Sequence, residues 1–155
     1  MRDSVTAYVS LGANLGAAQA AVLQAFHRLD AIPRTRVAAR SSLYRTVPQH
    51  AEGPDFINAV ARVETRLDAM ELFACLQELE NQAGRDRPYP NAPRTLDLDL
   101  LLYGAGCIDS RTLTVPHPRI RDRAFVLVPL SEVAPHLVAQ QELDAVAAQG
   151  VTRLP

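Results

Sequence analysis

The stretch Leu96-Asp97-Leu98-Asp99-Leu100 alternates leucines with carboxylates, and a period of two is the signature of a β-strand. Successive side chains on a strand point to opposite faces. Asp97 and Asp99 therefore share one face, and Leu96, Leu98 and Leu100 share the other, where they can enter a core. An isolated Asp-x-Asp reads most simply as an edge strand with solvated acids. The apolar residues around this pair instead predict a central strand. Unpaired buried charge is costly, and adjacent carboxylates repel unless a cation lies between them. Oxygen-only ligands with room for water suit Mg²⁺ holding a polyphosphate.

A phosphate site needs cationic side chains, and the 155-residue chain contains no lysine. That excludes a Walker-type loop, so Gly12-Ala13-Asn14-Leu15-Gly16 is read as a turn. Arginine must do the work, and its planar fork suits bidentate phosphate recognition. Arg85, Arg87 and Arg94 lie in or beside a proline-bearing loop. Solvated surface charge is the plain reading. The functional one is an arm that closes over a triphosphate and stabilises charge developing in the transition state. In Val115-Pro116-His117-Pro118-Arg119-Ile120-Arg121-Asp122-Arg123, prolines hold a loop lined by His117 and three arginines. A structural histidine in a rigid turn competes there with contacts to nucleotide phosphates, in which His117 donates without acting as a base. Phe56 and Asn58 share a strand face, and with Phe125 they make a slot for a flat heterocycle with hydrogen-bonding edges.

The net charge of -1 argues against a nucleic-acid surface. No apolar run is long enough to span a membrane, and the N-terminus lacks the features of a secretory leader. Cys75 and Cys107 fit neither metal-ligand nor disulfide spacing, and read as buried or incidental thiols in a reducing compartment. The expectation is a cytoplasmic monomer without nucleic-acid or membrane partners.

Strands are predicted at residues 7–11, 37–45, 56–64 and through the Asp-x-Asp segment, and helices over 17–29 and after Asp68. Asp68 and Glu71 form a capping-box pattern, and Gly84 is a plausible helix stop. Residues 104–115 read as a hairpin or excursion, and 124–133 as a short helix interrupted by Pro129. The tail from Gln140 reads as a marginal helix without chemistry. The order β-α-β-β-α-β predicts one α+β domain over residues 1–155. It is a ferredoxin-like antiparallel sheet with helices on one face and extra C-terminal elements.

Four segments in this order resemble the 6-hydroxymethyl-7,8-dihydropterin pyrophosphokinase family of folate biosynthesis. They are Ala92-Pro93-Arg94-Thr95-Leu96-Asp97-Leu98-Asp99, Ser41-Ser42-Leu43-Tyr44-Arg45-Thr46, Phe56-Ile57-Asn58-Ala59 and Leu113-Thr114-Val115-Pro116-His117-Pro118. The resemblance spans residues 7–138. It implies transfer of a pyrophosphoryl group from ATP to the pterin hydroxymethyl, releasing AMP, with two Mg²⁺ ions on Asp97 and Asp99. By the same resemblance the pterin meets Thr46, Val47, Gln49, Phe56, Asn58 and Phe125. ATP meets Gln77, Arg87, Leu100, Thr114, His117 and Arg123. Arg85 and Arg94 match catalytic-loop arginines, and Asn14 and Glu80 match supporting positions. Pro90, Asn91 and Thr112 depart from the family pattern, and Phe56 replaces a more usual Tyr. The competing readings are another Mg²⁺-dependent Asp-x-Asp nucleotidyl or phosphoryl transferase, and a non-catalytic ferredoxin-like binding module.

Overall fold

The computed structural model describes residues 3–14, 17–47, 54–85 and 96–155, with the side chain of Arg85 outside that set. Alternation in the two longest strands fixes the sheet. β1 (Val5–Ala13) buries Ala7, Val9 and Leu11 on one face. β4 (Phe56–Thr65) pairs antiparallel with it and sets Val63, Ala61 and Ala59 beside those three residues. β5 (Asp97–Tyr103) pairs with the other edge of β1. The far edge of β4 carries β2 (Thr35–Arg40) and then β3 (Tyr44–Thr46), and β3 carries β8 (Val151–Arg153).

Two helices cover one face, as expected. α1 (Ala18–Asp30) buries Val22, Ala25, Phe26 and Leu29, the spacing of a single helical stripe. α2 (Ala69–Arg85) adds Leu72, Leu76 and Leu79 to the same core. The capping box forms as the sequence predicts. The Glu71 N–H donates to Asp68 Oδ1 at 2.8 Å, and the Asp68 N–H donates to Glu71 Oε1 at 2.9 Å. The C-terminal helix α3 (Ala124–Val133) packs on the opposite face. There Val126, Leu127 and Leu130 meet Tyr8, Val60 and Leu101 in a second core.

Several expectations are corrected. β5 is an edge strand, not a central one. Its leucines are buried because helices cover both faces, and its outer backbone is occupied. The Leu98 N–H donates to Glu80 Oε2 at 2.8 Å, and the Leu101 carbonyl accepts the His117 N–H at 2.9 Å. The strand expected over residues 37–45 is two strands. Ser41 breaks it by donating its N–H to the Val60 carbonyl and accepting the Val60 N–H on Oγ, both at 2.9 Å. Gly84 does not stop α2, which runs to Arg85; Gly84 has no positive φ with which to cap it. Pro129 lies inside α3 without interrupting it, at the loss of the helical bond to the Phe125 carbonyl. The tail forms more than a marginal helix. α4 (Gln140–Ala145) is followed by a 3₁₀ turn at Ala147–Gln149 and by β8.

Glu132 ties α3 to β3. It accepts the Tyr44 hydroxyl at 2.6 Å and the Ser42 N–H at 2.9 Å. Burial by itself would raise the Glu132 pKa, but the bonds from Tyr44 and Ser42 outweigh it and hold the carboxyl below its ordinary value. Tyr44 is pushed up to about 12 by burial, then by its bond to Glu132 and that group's charge. A depressed acid stabilises the fold above its unfolded pKa and loses that contribution as pH falls through the folded value. A raised phenol loses its contribution as pH rises through the folded value. Glu132→Gln is therefore expected to cost about 1 kcal/mol at neutral pH, a low figure because Glu132 is solvent-exposed. Thermal melts of both proteins from about pH 7 down to about pH 3 should show the difference shrinking below the glutamate range.

Candidate active site

Strand register sets Asp97, Gly12, Asn58 and Tyr44 in one row across β5, β1, β4 and β3. Asp99 and Ser10 head the next row on the same face. Neighbouring strands lie about 4.8 Å apart, so Asp97 and Asn58 are about 10 Å apart with only a glycine between them. α3 covers the Tyr8 and Val60 end of this face. At the other end lies a cavity of ≈ 450 Å³. Ser10 and Gly12 line its centre, with Asp97 and Asp99 on one side and Thr46, Val47, Phe56 and Asn58 on the other. Arg123 and Phe125 enter from the start of α3, and Gln149 and Val151 from the tail.

The amide side is preset. Asn58 is 5% exposed, and its Nδ2 donates to Thr46 Oγ1 at 2.9 Å. With Nδ2 engaged in that bond, Oδ1 is left as the acceptor. Oδ1 sits 3.0 Å from the place where a Cβ on Gly12 would be. The aromatic walls are Phe56 and Phe125, and the Arg123 guanidinium carbon lies 5.4 Å from the Phe125 ring centroid.

The carboxylate side is held from behind. Glu80 on α2 binds the Leu98 N–H, which lies between Asp97 and Asp99 and so fixes the backbone that aims both acids into the cavity. No group of three or more His, Cys, Asp or Glu converges among the described residues. A pair of carboxylates with an open side matches how Mg²⁺ is bound, through one or two acids plus water and substrate phosphates. Burial, the largest influence, holds the His117 pKa below its ordinary value; Asp99 opposes this, and Arg123 and Arg119 reinforce it. His117 Nδ1 accepts the Arg119 N–H at 3.1 Å, so the neutral ring carries its proton on Nε2.

Of the three arginines expected to line the 115–123 loop, only Arg123 lines the cavity. Arg119 pairs with Asp122 at 3.0 Å, and Arg121 bonds Glu142 at 3.0 Å and the Leu137 carbonyl at 3.1 Å. Their partners hold the loop together and to the tail. Gln77 is exposed on α2, one turn before Glu80. Leu100 turns its side chain into the α2 core, leaving only its backbone for a ligand. Thr114 is exposed on β7 (Thr114–Val115), which pairs with β6 (Ile108–Asp109). Asn14 follows the end of β1. Gln49, Arg87, Arg94 and the Arg85 side chain lie outside the described residues. The sequence reading missed Ser10, Gly12, Gln149 and Val151. Alternation from Tyr8 carried a signal for the first two, and nothing in the tail signalled the others.

The sequence model for 7,8-dihydro-6-hydroxymethylpterin-pyrophosphokinase matches residues 8–135. The chain belongs to this pyrophosphokinase family. It is 41% identical over 135 residues to the 2-amino-4-hydroxy-6-hydroxymethyldihydropteridine pyrophosphokinase of Haemophilus influenzae, covering 86% of this chain and 84% of that one. It is 39% identical to the Pseudomonas aeruginosa protein of the same name, covering 96% of both. As a family member it is an enzyme of the diphosphotransferase class, acting in folate biosynthesis. The pyrophosphokinase fold is also that of a solved Plasmodium falciparum HPPK-DHPS, with a TM-score of 0.73 at 13% identity. That match covers 96% of this chain and 44% of the solved one, so the chain spans less than half of that protein.

Proposed function

We propose that the protein transfers an intact pyrophosphoryl group from Mg-ATP to 6-hydroxymethyl-7,8-dihydropterin, yielding AMP and the pterin pyrophosphate. The observation that carries this reading is one cavity with a carboxylate pair on one side and a buried amide with two aromatic rings on the other. The pterin ring lies between Phe56 and Phe125, and Asn58 Oδ1 accepts from its N–H edge. Thr46, Val47 and Gln49 complete the slot. Arg123 and His117 Nε2–H donate to phosphate oxygens, together with Arg87, Gln77, Thr114 and the backbone of Leu100. Asp97 and Asp99 hold two Mg²⁺ ions, which when bound with ATP supply charge neutralisation on its phosphates. Arg85 and Arg94 offset charge in the transition state, and Glu80 and Asn14 support the site. The pterin hydroxymethyl oxygen attacks the β-phosphorus in line, and its hydroxyl proton is released to water. The bond from that phosphorus to the oxygen bridging the α-phosphate breaks, and AMP leaves. Positioning and charge neutralisation, rather than a strong base, lower the barrier.

In this reading residues 1–155 form one catalytic domain, a cytoplasmic monomer with no nucleic-acid or membrane partner. The net charge of -1 fits the lack of a nucleic-acid partner, and among the described residues no helix is long and apolar enough to cross a membrane. The test is product analysis with Mg-ATP and the dihydropterin. AMP in step with pyrophosphorylated pterin, and only with metal, is expected. ADP or pyrophosphate would point to another transferase, and no nucleotide product from folded protein would overturn the reading.

Gly12 gives a further check. A methyl there would meet Asn58 Oδ1, and Asn58 cannot swing away without losing Thr46. Gly12→Ala is expected to raise the KM for the pterin about tenfold, the effect of losing one well-placed polar contact, with little change in the KM for ATP. Steady-state kinetics with each substrate varied in turn checks it.

A further inference from the structure

The tail touches both walls of the cavity. The Ala124 N–H, an otherwise unpaired donor at the start of α3, donates to Gln149 Oε1 at 2.9 Å. Gln149 Nε2 donates to the Asp122 carbonyl, also at 2.9 Å. One side-chain amide therefore brackets Arg123 from the residue before it and the residue after it. The next residue, Gly150, takes a φ of 73°, a left-handed turn open to glycine at little cost. That turn sends the following strand along β3, with Val151 opposite Thr46, Thr152 opposite Arg45 and Arg153 opposite Tyr44. The Leu154 N–H then donates to the Leu43 carbonyl at 2.9 Å. Gln149 holds the Arg123–Phe125 wall, and β8 holds the Thr46 wall.

We infer that Gln149 is a positioning residue that sets Arg123 and Phe125 against the Thr46 strand, coupling the phosphate side of the cavity to the ring side. The inference rests on the proposed substrates. Its action is indirect: Gln149 acts through the backbone of residues 122–124, which carries one group toward phosphate and another toward the ring.

The experiment uses the full chain with Gln149→Met, which keeps the volume and loses both bonds. Gln149→Glu accompanies it, since it keeps the acceptor that caps α3 and loses the donor to Asp122. Gln149→Met is expected to raise the KM for both ATP and the dihydropterin about tenfold, at the low end of what displaced positioning groups cost, with a smaller change in kcat. Gln149→Glu should fall between it and the wild type, and should carry the test if the Met variant does not fold. A merely structural role would lower the melting temperature of both variants and leave both KM values unchanged, which would overturn the inference. A double-mutant cycle adds a second readout. Arg123→Met should weaken Mg-ATP binding by calorimetry, and should weaken it less in the Gln149→Met background. Strict additivity would overturn coupling through Arg123. Wild-type protein that makes no AMP would overturn the substrate reading instead, so the two failures are distinguishable.

Discussion

Replacing Asp97 by Ala is expected to lower turnover about a thousandfold, the loss of several kcal/mol of charge stabilisation in the transition state. The melting temperature should stay near that of the wild type. Asp97 is exposed at the start of an edge strand, so removing its carboxylate empties no core position. The backbone that places it stays in position, because Glu80 still binds the Leu98 N–H. Asp99 and the substrate phosphates would remain as oxygen ligands, so residual turnover should depend more steeply on Mg²⁺ concentration. Chelating the metal should abolish turnover in the wild type, and adding it back should restore it. AMP formation across a Mg²⁺ titration, beside a thermal melt, measures all three. Unchanged turnover in Asp97→Ala would show that the carboxylate pair does not carry the chemistry.

Asn58→Leu should give the second-largest effect, and a different signature. Asn58 is buried, and its amide serves both Thr46 and the cavity. Leucine has a similar size, so packing changes little. It leaves the Thr46 hydroxyl without its buried partner and deprives the ring edge of its acceptor. An unmet buried polar group costs about 1–3 kcal/mol, so the lost ring contact corresponds to about tenfold to a hundredfold in kcat/KM for the pterin, and the unmet Thr46 hydroxyl to a lower melting temperature. The KM for ATP should hardly move. Kinetics with each substrate varied at saturation of the other separates this from the Asp97 effect, which falls on kcat.

Much of this architecture was legible because its signals are local. The alternation of Asp97 and Asp99 with leucines, the capping box at Asp68 and Glu71, and the stripe of Val22, Phe26 and Leu29 each need only a few neighbouring residues. The carboxylate pair and the Phe56–Asn58 face were readable for the same reason. What escaped depends on pairing between distant segments. That Gly12 lies between Asp97 and Asn58 is a matter of register among three strands. The edge position of β5 was hidden because cover by helices on both faces gives a strand the apolar look of a central one. Arg119 and Arg121 resembled Arg123 in sequence, and Asp122, Glu142 and the Leu137 carbonyl set them apart. The tail offered no periodicity, yet it forms a wall of the cavity.

The glycine between the acids and the amide has a consequence for the shape of the cavity. The span from the carboxylates to the amide is a whole number of strand spacings, two of them, and hydrogen bonds rather than side-chain lengths fix each one. Such a span changes only in steps of a full strand. Mutations around the cavity can alter the side chains that line it. They leave the backbone distance between the acids and the amide nearly constant. The sheet acts as a ruler, setting the distance from the acids on β5 to the amide on β4 in steps of one strand.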